Sequence, residues 1–452
     1  MKEEISRIES ARVFEKTEYA ASRKAGETKP KEPPTESLKD GSCLSQETTL
    51  ENGKQAVSRE KHPPDSLRDF FRKSIGTMKK NMTAAVAQGN MESARAAEEN
   101  NEGAHNGGSL HMATYNVAGG NEEMRENFKD ETSDHLARQV VQGNLDAVAL
   151  QEVSHRENGM DYNMELLKDV FRESLPPGLR DGEINYYSVD DRGNPVLDGN
   201  GSPKYDPSSS NVVYEATGHN GEKKTMTLTR ESLDRRGRPV VNGNGEPVYH
   251  QGLEAPLTVY TARLENGDSY SMVYGNSKAS NKDPDKRGPG EYGNSVLLGP
   301  GREIPRDEKG AIIPGSVEYK VLGHDPSDGE ARTAVGVTFA GEGGQRGTVV
   351  SAHLTADSDA SADETREAQR AQYRALSELS GRRGGNVIIG GDFNSTPGRD
   401  GAPSAEDLGL EQADPAARID HVLVSRDAEA GQARVVHGGG SDHEMIVTDV
   451  QL

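Results

Sequence analysis

The stretch Asn386-Val387-Ile388-Ile389-Gly390-Gly391-Asp392-Phe393-Asn394-Ser395 runs a β-branched segment into two glycines, then sets an acid and an amide two residues apart. The apolar part reads as a buried strand of a covered sheet. The glycines allow a sharp turn and close approach of another group. On an extended segment residues i and i+2 share a face, so Asp392 and Asn394 are expected to project together from a strand end. An acceptor beside an amide donor suits the orientation of a water or a phosphate oxygen. A capped turn would explain the same pair, so its meaning depends on what else the chain offers.

Outward from this strand, elements alternate. Strand-like segments cover Leu110–Val117, Leu145–Val153, Gly293–Gly299, Ala331–Phe339, Gly347–Leu354, Arg418–Ser425, Ala433–His437 and Met445–Val450. Helical spacing appears over Glu131–Val141, Tyr162–Leu175 and about Asp363–Leu379. Several mixed strands with covering helices predict an α/β fold, a two-sheet sandwich flanked by helices. Between Pro177 and Gly290 the texture turns to Gly, Asn, Pro and Tyr, read as a β-rich insertion over about 178–290. It holds a repeat: Arg192-Gly193-Asn194-Pro195-Val196 with Gly199-Asn200-Gly201-Ser202-Pro203 returns, 44 residues on, as Arg236-Gly237-Arg238-Pro239-Val240 with Gly243-Asn244-Gly245-Glu246-Pro247. Such pieces suggest hairpin turns, and two copies are too few for a solenoid.

The N-terminal part differs. Residues 1–64 are rich in Lys, Glu, Ser, Thr and Pro without apolar periodicity, and are expected to be largely disordered. Leu67, Phe70, Phe71, Ile75, Met78, Met82 and Val86 then fall at helical spacing, so 65–109 reads as an amphipathic helix and linker. A helix docked on the main domain or on a partner is the preferred reading. The alternative is a membrane-surface helix, since Arg68, Arg72, Lys73, Lys79 and Lys80 lie off the apolar stripe. The catalytic-type domain is expected over 110–452.

Composition narrows the function classes. At 32% hydrophobic residues, with 51 Gly and no Trp, the chain is poor in core formers for a fully packed globule. A single cysteine, Cys43, excludes an intrachain disulfide and fits a reducing compartment. Neither a Sec-type signal peptide nor a membrane-spanning apolar run is visible. Residues 1–110 hold 18 Lys/Arg and 18 Asp/Glu, so 111–452 carries the whole net charge of −21. Such a domain repels polyanions at long range unless a metal or a local basic patch offsets it. That disfavours non-specific coating of nucleic acid and leaves a metal-using nuclease open.

Several strand ends carry polar residues a buried strand does not need: Thr114-Tyr115-Asn116, Leu150-Gln151-Glu152, Ser351-Ala352-His353, Gly391-Asp392-Phe393-Asn394, Arg418-Ile419-Asp420 and Ser441-Asp442-His443. Together they offer oxygen ligands in Glu152, Asp442 and Asn116, two imidazoles in His353 and His443, and further acids. Hard oxygen ligands without a Cys/His cluster favour Mg²⁺ or Mn²⁺ over zinc. Singly each has an ordinary explanation: Asn116 and Asn394 as turn formers, Asp420 as a cap, Glu152 in a surface ion pair. His421 and His437 carry no assigned role.

The ordered set resembles the endonuclease/exonuclease/phosphatase superfamily, the DNase I-like fold. The matching pieces are Ala-Thr-Tyr-Asn116-Val, Leu-Gln-Glu152-Val, Ser-Ala-His353-Leu, Gly-Gly-Asp392-Phe-Asn394, Arg-Ile-Asp420-His and Ser-Asp442-His443, over about 110–452. The resemblance implies that Glu152 binds the divalent ion with Asn116 and Asp442 nearby. It implies that Asp392 activates or orients water with Asn394, and that His443, paired with Asp420, contacts the phosphate and moves a proton. His353 would stabilise developing charge, and Arg332 would contact the phosphate or form a structural ion pair. A nucleic-acid endonuclease is the favoured activity. A phosphoinositide or inositol polyphosphate phosphatase is the alternative, although its Pro-x-Trp-Cys-Asp-Arg motif is missing where Ala417–His421 stand. A sphingomyelinase-type phosphodiesterase and an inactive binding module come after these. A disordered N-terminus before a catalytic region resembles a delivered bacterial effector, cytoplasmic before secretion, with a secretion chaperone or a membrane surface engaged through 65–86. The insertion is expected to flank the groove, so that deleting 185–250 changes substrate preference and spares hydrolysis of a small phosphodiester.

Overall fold

The computed structural model describes residues 108–118, 131–154, 161–241, 243, 249, 256–277, 292–327, 329–341, 344–356, 361–383, 385–399, 402–413 and 419–452. The expectations for 1–64 and 65–86 lie outside the described residues.

The first sheet is built from β1 (Ser109–Asn116), β2 (Ala147–Ser154), β3 (Glu183–Val189), β4 (Asn211–Thr217), β5 (Lys223–Leu233), β6 (Leu257–Leu264), β7 (Ser269–Asn276) and β8 (Tyr292–Leu298). Its other edge is made by β16 (Glu429–Ala430), β17 (Arg434–Val436) and β18 (Met445–Gln451). Its order is β16-β18-β1-β2-β8-β7-β6-β5-β4-β3, with β17 on β18. The second sheet contains β9 (Arg302–Glu303), β10 (Val317–His324), β11 (Ala331–Gly341), β12 (Arg346–His353), β13 (Asn386–Asp392), β14 (Leu410–Gln412) and β15 (Asp420–Ser425). Its order is β10-β11-β12-β13-β15-β14, with β9 on β11. Parallel pairing of β1 with β2 and of β12 with β13 brings their C-terminal ends to one edge of the sandwich.

Strand alternation makes the layers. Leu110, Met112, Ala147, Ala149 and Val296 face Val335, Val337, Val349, Ile388 and Val424 between the sheets. Ala113, Tyr115, Val148 and Leu150 point outward against α1 (Ser133–Val141) and α2 (Tyr162–Ser174) through Leu136, Val140, Leu166, Val170 and Phe171. Val350, Ala352, Val387 and Ile389 point outward against Tyr373, Leu376 and Leu379, after a one-turn α3 (Pro177–Arg180) on α4 (Ala362–Arg383). The sandwich is therefore four-layered, as the sequence pattern implies, and each fully buried Leu or Ile contributes about 1.5–3 kcal/mol. Asp161 starts α2 by accepting from the Asn163 amide, a capping contact. Among the described residues no helix is long and apolar enough to cross a membrane.

Gly390 and Gly391 have concrete steric roles. A Cβ at Gly390 would lie 2.8–2.9 Å from Met112 Cε, Ala149 Cβ and Thr114 Cβ of the opposite sheet, and one at Gly391 would lie 2.4 Å from the Ala352 carbonyl oxygen. Gly390 lets the two sheets close together immediately below Asp392, and Gly391 fits against the neighbouring strand β12.

The insertion is β-rich as expected, and its strands β3–β7 continue the first sheet outward from β8. Its repeat is a short turn rather than a 44-residue unit. At Asp190, Asp198, Asp234 and Asp307 the carboxylate accepts from the backbone amides two and four residues on. In each turn a glycine three residues after the Asp takes a positive φ, and the Asp amide donates to the carbonyl four residues on. The fourth turn, 307–313, lies beyond the insertion and has Ile312 where the others have proline.

Candidate active site

Three strands deliver their ends in register. His353 on β12 pairs with Asp392 on β13, and Asp392 pairs with Asp420 on β15, so the three form one row across the second sheet. From the first sheet come Asn116, the last residue of β1, and Glu152 on β2. The register of β2 against β8 shifts between Leu150 and Val153, a bulge that gives Glu152 a φ of +55°. Bulges re-aim side chains in this way.

Asn116 joins the two sheets' contributions: its Nδ2 donates to Glu152 Oε1 at 3.1 Å and to Asp392 Oδ2 at 2.9 Å. Its own oxygen accepts from the Ala118 amide at 2.9 Å. Asp392 Oδ1 accepts from the Asn394 amide at 2.9 Å, so both carboxylate oxygens are fixed. His443 Nδ1 lies 2.8 Å from Asp420 Oδ2, and its Nε2 lies 3.8 Å from Asp392 Oδ2. His353 Nε2 stands 3.7 Å from Asp392 Oδ2 and 3.9 Å from Glu152 Oε1.

Proton affinities divide accordingly. Burial, then the charge of Asp420, lifts Asp392 to about 6 against the opposing pull of His443 and Asn116. His443 reaches about 9: burial opposes its charge, but the hydrogen bond and charge of Asp420, with Asp392 and Asp442, prevail. Burial, then the positive Arg332 and His443, hold His353 well below the usual imidazole value. At neutral pH these shifts favour an imidazolium at His443 and a neutral ring at His353.

Two overlapping groups have ligand atoms within 4.8 Å of one another, Glu152/His353/Asp392 and Asp392/Asp420/His443. The donor set suits a divalent cation: carboxylates with a neutral imidazole. Asp420 Oδ1 is buried with no hydrogen-bond partner among the described residues, which leaves an acceptor for a cation or a donor.

Three expected residues sit differently. Asp442 is exposed and belongs to neither group. Arg332 Nη2 donates to buried Asp325 at 2.9 Å, the structural ion pair of the two readings. Asn394 holds Asp392 through its backbone, at a φ of +49°, while its side-chain amide donates to the Leu354 carbonyl at 3.0 Å. His421 lies beside Gln412 and His437 in an exposed ion pair with Glu444.

Supporting residues went unassigned in the sequence. Gln369 and Gln372 of α4 bind Thr355, and Gln369 also donates to the Asn394 carbonyl, tying the loops after His353 and Asp392 to the helix. Ser441 donates to the Asn116 carbonyl at 2.7 Å and accepts from the His443 amide at 3.1 Å. The available signal was a glutamine pair at helical spacing and a serine two residues before a histidine.

The chain matches the model of the Endonuclease/Exonuclease/phosphatase family over residues 113–443. No curated protein matches it by sequence. Among solved structures it is similar to an endonuclease/exonuclease/phosphatase from Beutenbergia cavernae, at 14% identity over 76% of this chain and 72% of that one, with a TM-score of 0.38. It is similar also to one from Bacteroides vulgatus, at 12% identity over 76% and 99% of the two chains and a TM-score of 0.40. The human Nocturnin catalytic domain with bound sulfate gives 12% identity, 76% and 93% coverage and a TM-score of 0.39.

Proposed function

The chain belongs to the endonuclease/exonuclease/phosphatase family, a family of hydrolases, and on that premise we propose that it cleaves phosphate esters with a divalent cation, nucleic-acid phosphodiesters being the favoured substrate. The carrying observation is the His353–Asp392–Asp420 row, joined to Glu152 through Asn116 and to His443 through Asp420.

Asp392 takes the proton of the attacking water. Its carboxylate is fixed at both oxygens, and an acid near 6 is ionised yet basic at neutral pH. His443, charged and oriented by Asp420, donates from Nε2 to a phosphate or leaving oxygen as negative charge grows there. His353 adds a neutral ring on the other side of Asp392, able to donate or to ligate. Glu152 and Asp392, with His353, would hold Mg²⁺ or Mn²⁺. Such a cation, when bound, neutralises charge on the phosphate as a Lewis acid. Arg332, committed to Asp325, acts on phosphate only through its field.

Asp392-Phe393-Asn394 and Ile419-Asp420-His421 support a nuclease, and the missing Pro-x-Trp-Cys-Asp-Arg motif disfavours an inositol phosphatase. Purified protein assayed on plasmid DNA, RNA, phosphatidylinositol 4,5-bisphosphate and sphingomyelin decides between them. His353→Ala, Asp392→Ala and EDTA should each abolish hydrolysis, with Mg²⁺ restoring the EDTA-treated enzyme. Activity retained in either folded variant would overturn the site assignment. Delivery as an effector is part of the same proposal, supported by the composition of 1–64. It fails if a translocation reporter fused to residues 1–110 never leaves the bacterium.

A further inference from the structure

Below the site, a closed polar circuit crosses the two sheets. Gln151, fully buried on β2, accepts at Oε1 from Thr114 Oγ1 at 3.2 Å. Its Nε2 donates to Ser351 Oγ at 3.0 Å, and Ser351 Oγ donates back to the Leu150 carbonyl at 2.7 Å. All three side chains are fully buried, and the inward residues Leu110, Met112, Ala147, Ala149 and Val349 that precede them on their strands are apolar. Each member stands just before a site residue: Thr114 two before Asn116, Ser351 two before His353, Gln151 directly before Glu152.

The bulge explains the odd spacing on β2. Leu150 and Val153 both face outward, against α1 and α2. Two residues, Gln151 and Glu152, therefore fill the place that regular alternation gives to one. A non-glycine residue at a positive φ persists only where its surroundings over-determine it. Gln151 supplies such a constraint, because its amide is bonded on one side to β1 and on the other to β12. Gly390 of β13 lies against Thr114, so the strand carrying Asp392 meets the same node.

We propose that Gln151, with Thr114 and Ser351, is a positioning residue that holds the Glu152 bulge and sets the spacing between the Glu152–Asn116 and His353–Asp392 halves of the site. This rests on the phosphoesterase reading. The circuit acts through Glu152 and His353 and touches no substrate. Its loss should weaken divalent-cation binding and kcat together, with KM little changed.

Gln151→Leu alone takes the acceptor from the buried Thr114 hydroxyl and the donor from Ser351 Oγ, which keeps its bond to the Leu150 carbonyl, and lowers stability as well. Replacing the partners too removes that penalty, so Thr114→Val/Gln151→Leu/Ser351→Ala is the decisive variant. Calorimetric titration of Mg²⁺ into full-length protein without substrate, kcat and KM on the preferred substrate, and the melting temperature in EDTA are measured for both variants and the parent. The expected result is about tenfold weaker Mg²⁺ binding and at least a tenfold loss of kcat in the triple variant, with its melting temperature restored towards the parent's. Parent-like Mg²⁺ affinity and kcat in the triple variant would overturn the proposal and leave the circuit purely structural. A triple variant that fails to fold overturns it too if Gln151→Leu, folded, binds and turns over as the parent does. A parent that neither binds Mg²⁺ nor hydrolyses any substrate instead overturns the phosphoesterase reading.

Discussion

At the scale of the residue, the site depends on two groups whose proton affinities have moved for opposite purposes. In the proposed mechanism Asp392, at about 6, serves as a base only when ionised, so activity should be lost as pH falls through its pKa. There His443, at about 9, serves as a donor only when protonated, so activity should be lost as pH rises through its pKa. The expected profile of kcat/KM is a bell between these limbs, with a bound cation moving the acid limb lower. Asp420 controls both limbs: it repels charge on Asp392 and stabilises charge on His443. In Asp420→Asn both limbs should shift to lower pH, with kcat/KM at pH 8 falling at least tenfold. An alkaline limb that stays put in this variant would mean that another group donates the proton. That these residues would gather at one place was partly legible in the sequence, because acids and histidines after β-branched runs are unusual in a core strand. Which of two adjacent loop residues turns inward was not legible. Asp442 and His443 are equally polar, and Ser441, anchored on the Asn116 carbonyl, sets the local turn. The bulge at Glu152 was equally hidden: two polar residues between Leu150 and Val153 break the alternation, but the break reads as a strand end until Gln151 is seen bonded to both sheets.

At the scale of the element, β13 shows how a strand with ordinary β-branched residues becomes a site strand. Val387 and Ile389 pack on α4, Ile388 packs between the sheets, and Gly390 then removes the side chain where the sheets are closest. Gly390→Ala would press a methyl against Ala149 Cβ and Thr114 Cβ, which are fixed to backbone and cannot swing aside as Met112 Cε can. Overpacking of this kind costs about 1–3 kcal/mol. The variant should unfold at lower denaturant concentration and lose activity even under native conditions, because a displaced β13 carries Asp392 with it. Unchanged stability in urea would show that the sheets have slack there. The glycine pair announced close approach from the sequence alone, but not what approaches. The Asp turns give the converse case. Their repetition was visible where Asn, Gly and Pro coincide, whereas 307–313 makes the same bonds with Ala311 and Ile312. The shared requirement is an Asp and a glycine three residues on, and composition hides so small a rule.

At the scale of the whole molecule, the insertion changes meaning once its strands are seen in the first sheet. Read as sequence, 178–290 is an elaboration that could be trimmed, and removal of 185–250 should then spare hydrolysis. The strands removed, β4 and β5 with most of β3, contribute Val212, Tyr214, Ala216, Met226 and Leu228 to the core that also holds α2 and β2. Arg230 on β5 is buried against Tyr249, 4.0 Å from that ring's centroid. It donates to the Pro207 and Ser209 carbonyls and to Tyr205, and its Nη1 contacts Met164 of α2. Deleting 185–250 would make β6 an edge strand and uncover Tyr260, Ala262 and the underside of α2. A newly exposed apolar edge is a site for aggregation. The insertion is accordingly expected to be a structural part of the domain that carries Glu152, since α2 follows β2 in the chain and covers it. The deleted protein should be insoluble or lack a cooperative thermal transition. A soluble deletion variant that melts within a few degrees of the parent and still cleaves bis(p-nitrophenyl) phosphate would return the insertion to the role of a detachable specificity element.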